Sequence, residues 1–480
     1  MTLRATENSK PLCVDLDGTL LATDTLLESL VILLKTAPLG FWAVLFWIFR
    51  GKAIFKRQLV RHVVLNPEYL PYRKDVLSFL KEQQRSGRKL ILVTAADQQV
   101  AENIANYLKI FSSIIASNGK VNLSGRRKLS ALQKNFGHKG FDYMGNASVD
   151  LAVWQAARRA ILVHPSSRLV KRVRRISSVY RIFSPRTNPI PILVNALRVN
   201  QWVKNTLLFV PLLMAHKMAE IELVIQTIIA FFSFSLCASS VYILNDILDL
   251  GFDRQHPTKK FRPFAAGLLP IKTGIFLIPF LIVSSFTIAI VYLPINYIIL
   301  LAFYYLLTTI YSFYLKRILI VDVLVLAALY TLRVLSGAVA VNIYVSPWLL
   351  AFSMFIFLSL AFLKRYSELL IMKGNKVSRS KGRGYTLKDI ELFRSIGPTT
   401  GYLAILVLVL YINSNQVVKL YNHPMLLWLI GPLLLYWVTR MWFLAHRGEM
   451  LDDPIVFTVK DRNSYAVGCL VAFIIIVASI

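Results

Sequence analysis

Residues 223–263 read LVIQTIIAFFSFSLCASSVYIL and then NDILDLGFDRQHPTKKFRP. The first part, 223–244, carries no charge, and as a helix it reaches about 33 Å, enough to cross the roughly 30 Å core of a bilayer. At its mouth stand Asn245, Asp246, Asp249 and Asp253, followed by Lys259, Lys260 and Arg262. A spacing of i, i+1, i+4, i+8 puts the amide and the three carboxylates on one helix face. Carboxylates crowded at a membrane edge repel one another unless a cation neutralises them. Magnesium suits the task, because it takes oxygen ligands while gripping substrate phosphates. His256-Pro257 ends the helix, since the residue before proline avoids the α region, and the chain swings its bases back over the acids. The stretch reads as a metal–diphosphate grip. A water-exposed loop charged for topology accounts for the bases but not for an acidic face.

The rest of the chain agrees with a membrane location. Of 480 residues 56% are hydrophobic and only 17% charged, below the roughly 25% of soluble domains. The net charge of +30 does not indicate nucleic acid, because the basic residues lie between apolar runs, where topology places them. Anionic lipid head groups and phosphorylated substrates are the expected partners. Cys13, Cys237 and Cys469 are far apart, with neither metal spacing nor a disulfide framework.

About nine apolar spans follow residue 190, near 197–216, 222–248, 271–291, 295–313, 318–341, 346–364, 395–413, 424–445 and 464–480. The loops after the second, fourth, sixth and eighth spans are rich in Lys and Arg. Those after the odd-numbered spans hold almost none, only Lys217 and Lys419. The positive-inside rule therefore predicts cytoplasmic even loops and a cytoplasmic amino-terminal part.

Residues 1–165 alternate short apolar runs (PLCVDLD, RKLILVTAAD, FDYMGN, AILVHP) with helical patterns, as in a doubly wound parallel α/β sheet. Residues 27–50 are apolar enough to suggest a span, but Lys35 and Pro38 cut them into pieces too short to cross. They read as a helical cap that rests on the bilayer surface. Residues 166–189 hold Arg168, Lys171, Arg172, Arg174, Arg175, Arg181 and Arg186 without one acid, and read as a basic juxtamembrane linker or an ordinary solvated one. The expected layout is thus 1–165 α/β, 166–189 linker and 190–480 all-α membrane domain.

N-D-x-x-D-x-x-x-D followed by H-P-T-K-x-x-R-P resembles the UbiA superfamily of intramembrane transferases, and within it the decaprenyl-phosphate phosphoribosyltransferase branch. RVNQWVKN with Lys204 and Asn205, YSFYLK with Tyr311 and Lys316, LKRYSEL with Lys364, Arg365, Tyr366 and Glu368, and KDR at 460–462 fit that branch. The resemblance implies nine helices around a cavity and Mg²⁺ on Asp246, Asp249 and Asp253. It further implies transfer of 5-phosphoribosyl from phosphoribosyl diphosphate to a polyprenyl phosphate in cell-envelope biosynthesis. Aromatic-prenylating relatives carry a second aspartate-rich motif where this chain has Lys364-Arg365. A Lys-Arg pair suits direct binding of a phosphate, which Arg takes bidentately; anchoring a helix end is the plainer role. Asp322 and Arg333 are costly in lipid and either face the cavity or pair with each other. Prenyl transfer to a small aromatic acceptor, and a transporter or scaffold, are the alternatives. Self-association is compatible with the pattern.

CVDLDGTLLATD resembles the first motif of haloacid-dehalogenase-like (HAD) phosphatases, with Asp15 as nucleophile and Asp17 as acid. Thr94, Lys128 and Asp150 fit the later motifs, and Asp15, Asp17 and Asp150 the metal site. The family's usual acid at 146 is Asn146 here, which lowers the expected Mg²⁺ affinity. A working domain would remove the 5-phosphate from the lipid-linked product.

Overall fold

The structure is a computed structural model and describes residues 10–37, 40–184, 188–374, 384–414, 417, 420–450 and 453–479. It divides into two compact units, one of Met1–Ala196 with Leu244–Phe276, the other of Leu197–Ile243 with Leu277–Ile480.

The first unit is built on a parallel sheet. In chain order it carries β1 (Leu12–Val14), α1 (Thr25–Thr36), α2 (Gly40–Phe49), α3 (Lys52–His62), α4 (Lys74–Arg85), β2 (Leu90–Asp97), α5 (Gln98–Leu108), β3 (Ser113–Ser117), α6 (Arg126–Phe136), β4 (Asp142–Gly145), α7 (Leu151–Ala156), β5 (Arg159–Val163), α8 (Ser167–Arg174), β6 (Ser178–Phe183) and α9 (Pro189–Leu197). The strand order is β3-β2-β1-β4-β5-β6, with Cys13 opposite both Ile91 and Tyr143. Side chains alternate between two cores. Leu12, Val14, Leu92, Met144 and Ile161 enter one, while Cys13, Ile91, Val93, Tyr143 and Leu162 enter the other. Helices cover both faces, which is why the strands read as unbroken apolar runs. Asp15 leaves the carboxyl end of the central strand, where open α/β sheets bind ligands.

The expected linker differs. Residues 167–183 form α8 and β6, and β6 pairs with β5 from Arg159↔Ser178 to Val163↔Phe183. Leu169 and Val173, one helical turn apart, are buried against the sheet, while Arg168, Lys171, Arg172, Arg174 and Arg175 are all exposed. The density of exposed charge hid a two-residue apolar stripe. Arg186 and Pro38 lie outside the described residues.

The cap is α1, α2 and α3. Val44, Leu33, Phe55, Leu59 and Val63 pack together, while Trp42, Phe46 and Phe49 of α2 are exposed.

After α9 come a 3₁₀ helix (Val199–Phe209), α10 (Val210–Met214), α11 (Ile221–Leu248), α12 (Leu250–Gln255), α13 (Ile271–Tyr292), α14 (Ile295–Phe313), α15 (Val321–Ala340), α16 (Pro347–Gly374), α17 (Ile390–Ile412), α18 (Ile430–His446), α19 (Pro454–Thr458) and α20 (Arg462–Ser479). Among the described residues eight helical stretches are long and apolar enough to cross a membrane. The protein is a multi-pass integral membrane protein. The span expected at 197–216 is not among the eight. It is 11 residues of 3₁₀ followed by 5 of α-helix, which at about 2.0 and 1.5 Å per residue still extend roughly 30 Å. The 3₁₀ run lies tight on α15: a Cβ at Gly337 would fall 1.9 Å from the Leu208 carbonyl oxygen. Small residues allow such backbone approach between membrane helices.

Candidate functional site

The acids of the opening stretch do not share one continuous helix. α11 stops at Leu248, and Asp249 (φ −99°, ψ 10°) is the hinge into α12. The bonds Asp249 N–H to Asn245 O (2.9 Å) and Asp253 N–H to Asp249 O (2.8 Å) keep the turn nearly helical. α12 ends at Gln255 with His256 extended, as Pro257 requires. A 3₁₀ turn, Lys259–Phe261, then returns Arg262 to the acids. Its Nη1 donates to Asp246 Oδ1 at 3.1 Å and to Asp253 Oδ2 at 2.7 Å. Both carboxylates are buried. Burial raises the Asp253 carboxyl above its ordinary range despite Arg262. Asn245 and Lys259 are half-buried, and Lys260 is exposed beside the Phe261 ring.

Asp249 is turned elsewhere. Lys35 of α1 donates to it at 2.7 Å and lies 4.1 Å above the Phe252 ring. Next to it, Arg254 forms a fork on Glu28 (2.6 and 3.0 Å) and also donates to Ala265 O at 3.0 Å. Among the described residues no three His, Cys, Asp or Glu side chains are gathered to hold an ion. The donor chemistry nevertheless fits Mg²⁺: Asp246 and Asp253 already converge on one positive charge, the Arg262 guanidinium, and Asp249 is one turn away.

The α/β part carries a cavity of about 220 Å³ at the carboxyl end of β1, lined by Asp15, Asp17, Asp24, Lys56, Lys128 and Asn146 among others. Lys128 Nζ donates to Asp15 Oδ1 at 2.8 Å. Burial opposes its charge, but Asp15 and Asp150 outweigh that and raise its pKa. The Thr25 N–H donates to Asp17 Oδ1 at 2.8 Å. Burial, reinforced by Asp24, lifts the Asp17 carboxyl to about 7. Thr19 Oγ1 lies 3.3 Å from both Asp15 and Asn146 Oδ1. The side-chain oxygens of Asp15 and Asn146 are hard ligands on one wall that fit Mg²⁺, with one charge fewer than two carboxylates; Asp17, expected as a further ligand, is favoured in its protonated form instead. Asp150 differs from expectation: it accepts from Tyr143 OH (2.9 Å) and lies 3.7 Å from Lys128, backing the lysine from behind the cavity wall. Thr94 is fully buried and accepts the Ala96 N–H at 3.0 Å, so it shapes the strand end rather than lining the cavity.

In the second unit Lys204 and Lys364 both donate to Asp453 Oδ2, at 2.8 and 2.7 Å. Asp453 is the N-cap of α19. Burial would raise its carboxyl, but the two lysines hold it far below the usual range. Arg365 is committed: Nε and Nη2 donate to Asp322 (2.5 and 2.9 Å), Nη1 to Glu368 (2.8 Å), and Nη2 also reaches Tyr311 OH at 3.1 Å. Its guanidinium is therefore a strut, not the phosphate fork the sequence suggested, because the nearer carboxylates claim its donors. Nor does Asp322 pair with Arg333. Arg333 donates to Asn205 Oδ1 (2.9 Å), Leu329 O (2.6 Å) and Tyr304 OH (2.9 Å). Tyr366 OH meets His446 Nδ1 at 2.8 Å, and Lys316 is buried in a 3₁₀ turn.

Residues 206–457 match the UbiA prenyltransferase family. The chain belongs to the UbiA prenyltransferase family. A Sinorhizobium fredii protein, "Uncharacterized protein y4nM", is 36% identical over 98% of this chain and 91% of its own length. The "Nodulation protein NoeC" of Azorhizobium caulinodans is 36% identical over 56% of this chain and 87% of its own. "Decaprenyl-phosphate phosphoribosyltransferase" of Mycobacterium tuberculosis is 35% identical over 39% of this chain and 63% of that one. A UbiA homologue of Archaeoglobus fulgidus, solved with GPP and Mg²⁺, aligns with TM-score 0.45 and 12% identity over 60% of this chain and all of that one.

This UbiA-family chain also forms buried and half-buried ion pairs through residues that its sequence did not announce. They are Asp453, Lys35 and Glu28, of which the sequence drew attention only to Lys35, as a break in an apolar run. Each is a charge whose partner is distant in sequence: Lys35 and Asp249 are 214 residues apart, Glu28 and Arg254 226, and Asp453 and Lys204 249.

Proposed function

We propose that this UbiA-family transferase moves 5-phosphoribosyl from phosphoribosyl diphosphate to a polyprenyl phosphate. The observation that carries the reading is the pair of lysines on Asp453. Two ammonium groups, Lys204 buried and Lys364 half-buried, share one carboxylate and leave a net positive charge, which suits a phosphate ester. Taken separately, a diphosphate suits Asp246, Asp249, Asp253 and Arg262, and a phosphate ester suits Lys204 and Lys364. Mg²⁺ held by the three aspartates would neutralise the diphosphate as a leaving group. Arg262, Lys259 and Lys260 bind its remaining oxygens, and Asn245 orients it. The C1–O bond to diphosphate breaks as a lipid phosphate oxygen forms the new bond to C1. That oxygen is already anionic, so no base is required. The relatives named decaprenyl-phosphate phosphoribosyltransferase support this choice. Prenyl transfer is disfavoured by Lys364 and Arg365 where a second acidic motif would stand.

The α/β part dephosphorylates the product in this scheme, on the cytoplasmic face. Asp15 attacks phosphorus to form an aspartyl-phosphate as the ester P–O bond breaks. Lys128 holds the nucleophile and the phosphate, and Asp17, kept protonated by burial, delivers the proton to the leaving oxygen. Water, deprotonated by Asp17, then attacks the aspartyl-phosphate and releases inorganic phosphate. Membranes containing the protein are given labelled phosphoribosyl diphosphate and polyprenyl phosphate. Label should enter chloroform-soluble lipid with Mg²⁺ and not with EDTA; label that requires an isoprenyl diphosphate instead would overturn the assignment. Asp15→Asn should leave transfer intact and stop release of inorganic phosphate.

A further inference from the structure

Helix α1 touches both chemical centres of the first unit. Its cap residue Asp24, with Thr25, Leu26 and Ser29, lines the phosphatase cavity, and the Thr25 N–H is the donor that orients Asp17. Its middle is pinned by the Glu28–Arg254 fork, whose side chains are 4% and 8% exposed. Its last turn presents Lys35 to Asp249, and there the side chains are 14% and 18% exposed. Asp24 and Lys35 are eleven residues apart, about 16 Å along one rigid rod. The fork makes several buried bonds, whereas the Lys35 end has one ion pair and one ring contact. Leu33 packs in the cap core beside it, and Lys35 is the one polar tie between the last turn of the helix and the acids among the described residues.

We propose that Lys35 is a positioning residue of the transferase: it holds Asp249 until a divalent cation with its diphosphate claims that carboxylate, and its release loosens the Thr25–Asp17 bond at the other end of α1. The inference rests on the reading that Asp246, Asp249 and Asp253 take a metal–diphosphate. A dication outcompetes one ammonium for a carboxylate, and the freed Lys35 stays in the last turn, where the helix dipole favours a cation. Asp17 is then well oriented only when the transferase acids are unloaded, so transfer and dephosphorylation alternate. Coupling of this kind is reciprocal.

Two measurements on the full-length protein test it. Mn²⁺ binding is followed by electron paramagnetic resonance in an Asp15→Asn background, which weakens the phosphatase metal site. Lys35→Met should tighten binding roughly tenfold, the lower end of what a contacting opposite charge does to proton binding by a carboxylate; Lys35→Arg should match the parent. Equal affinity in Lys35→Met and parent overturns the proposal. Hydrogen exchange of residues 25–36 is then compared with and without Mn²⁺ and inorganic pyrophosphate. Exchange should quicken at both ends of α1 in the parent, stay constant in Asp246→Asn, and be already fast in Lys35→Met. Protection at Thr25 that ignores the ligand also overturns it. Neither readout involves ribosyl transfer. An unlabelled lipid with these shifts present rejects the donor's identity, and a labelled lipid without them rejects the role of Lys35.

Discussion

Replacing Lys364 by Met removes one of the two ammonium groups on Asp453 and leaves Lys204 in place at 2.8 Å. The buried carboxylate keeps a partner, so the fold survives. What is lost is one charge-assisted contact to the 5-phosphate, worth about 2 kcal/mol within the 1.5–3 range for such bonds. At 1.4 kcal/mol per decade that is a roughly 30-fold rise in KM for phosphoribosyl diphosphate. The 5-phosphate is remote from C1 and changes little at the transition state, so kcat should stay within about twofold. Initial rates of lipid labelling in proteoliposomes, with each substrate varied in turn, separate the two constants. The KM for polyprenyl phosphate should not move. A fall in kcat at constant KM, or a rise in the lipid's KM alone, would refute the two-lysine phosphate site.

Asp246→Asn should behave oppositely, cutting kcat by at least about 100-fold with little change in KM, because the lost charge acts on the departing diphosphate. Arg365→Met should cost about 3–5 kcal/mol by stranding Asp322, seen as a large loss of thermal stability in detergent even with substrate present. Gly18→Ala should silence the phosphatase and spare the transferase: Gly18 sits at φ +74°, and a Cβ there would meet the Asn146 amide at 2.1 Å. Asp17 gives a pH signature. Its carboxyl is raised to about 7, so the protonated acid predominates below that pH, and phosphatase rate should fall as pH rises through it. The sign for stability is the same: the folded state binds this proton more tightly, so its contribution is complete in acid and is lost as pH rises from the ordinary carboxylate range to about 7.

Much of this was legible in the sequence because it was local. Apolar runs gave most membrane helices from 222 onward to within about three residues, and Pro257 gave the end of α12. The run at 346–364, however, continues as helix to Gly374, and the one at 395–413 starts at Ile390. DLDGT placed Asp15 and Asp17 at the end of a buried strand. What escaped depended on distant partners. Arg365 was read for what a guanidinium can do, but Asp322 and Glu368 reach it first. α8 was hidden because five exposed cations around Leu169 and Val173 outweighed two apolar residues in any composition window. The first span was legible as an apolar run but not as a 3₁₀ helix, which has no 3.6-residue stripe to find.

The segment Leu244–Phe276 packs as part of the amino-terminal body. A truncation near residue 190 would therefore follow the change in sequence character yet tear through a folded whole. It would strip Arg254 and Asp249 of their counter-charges and leave the severed transferase with an altered appetite for metal. Anyone trimming the chain to obtain its membrane half should expect a differently tuned catalyst, not a simpler one.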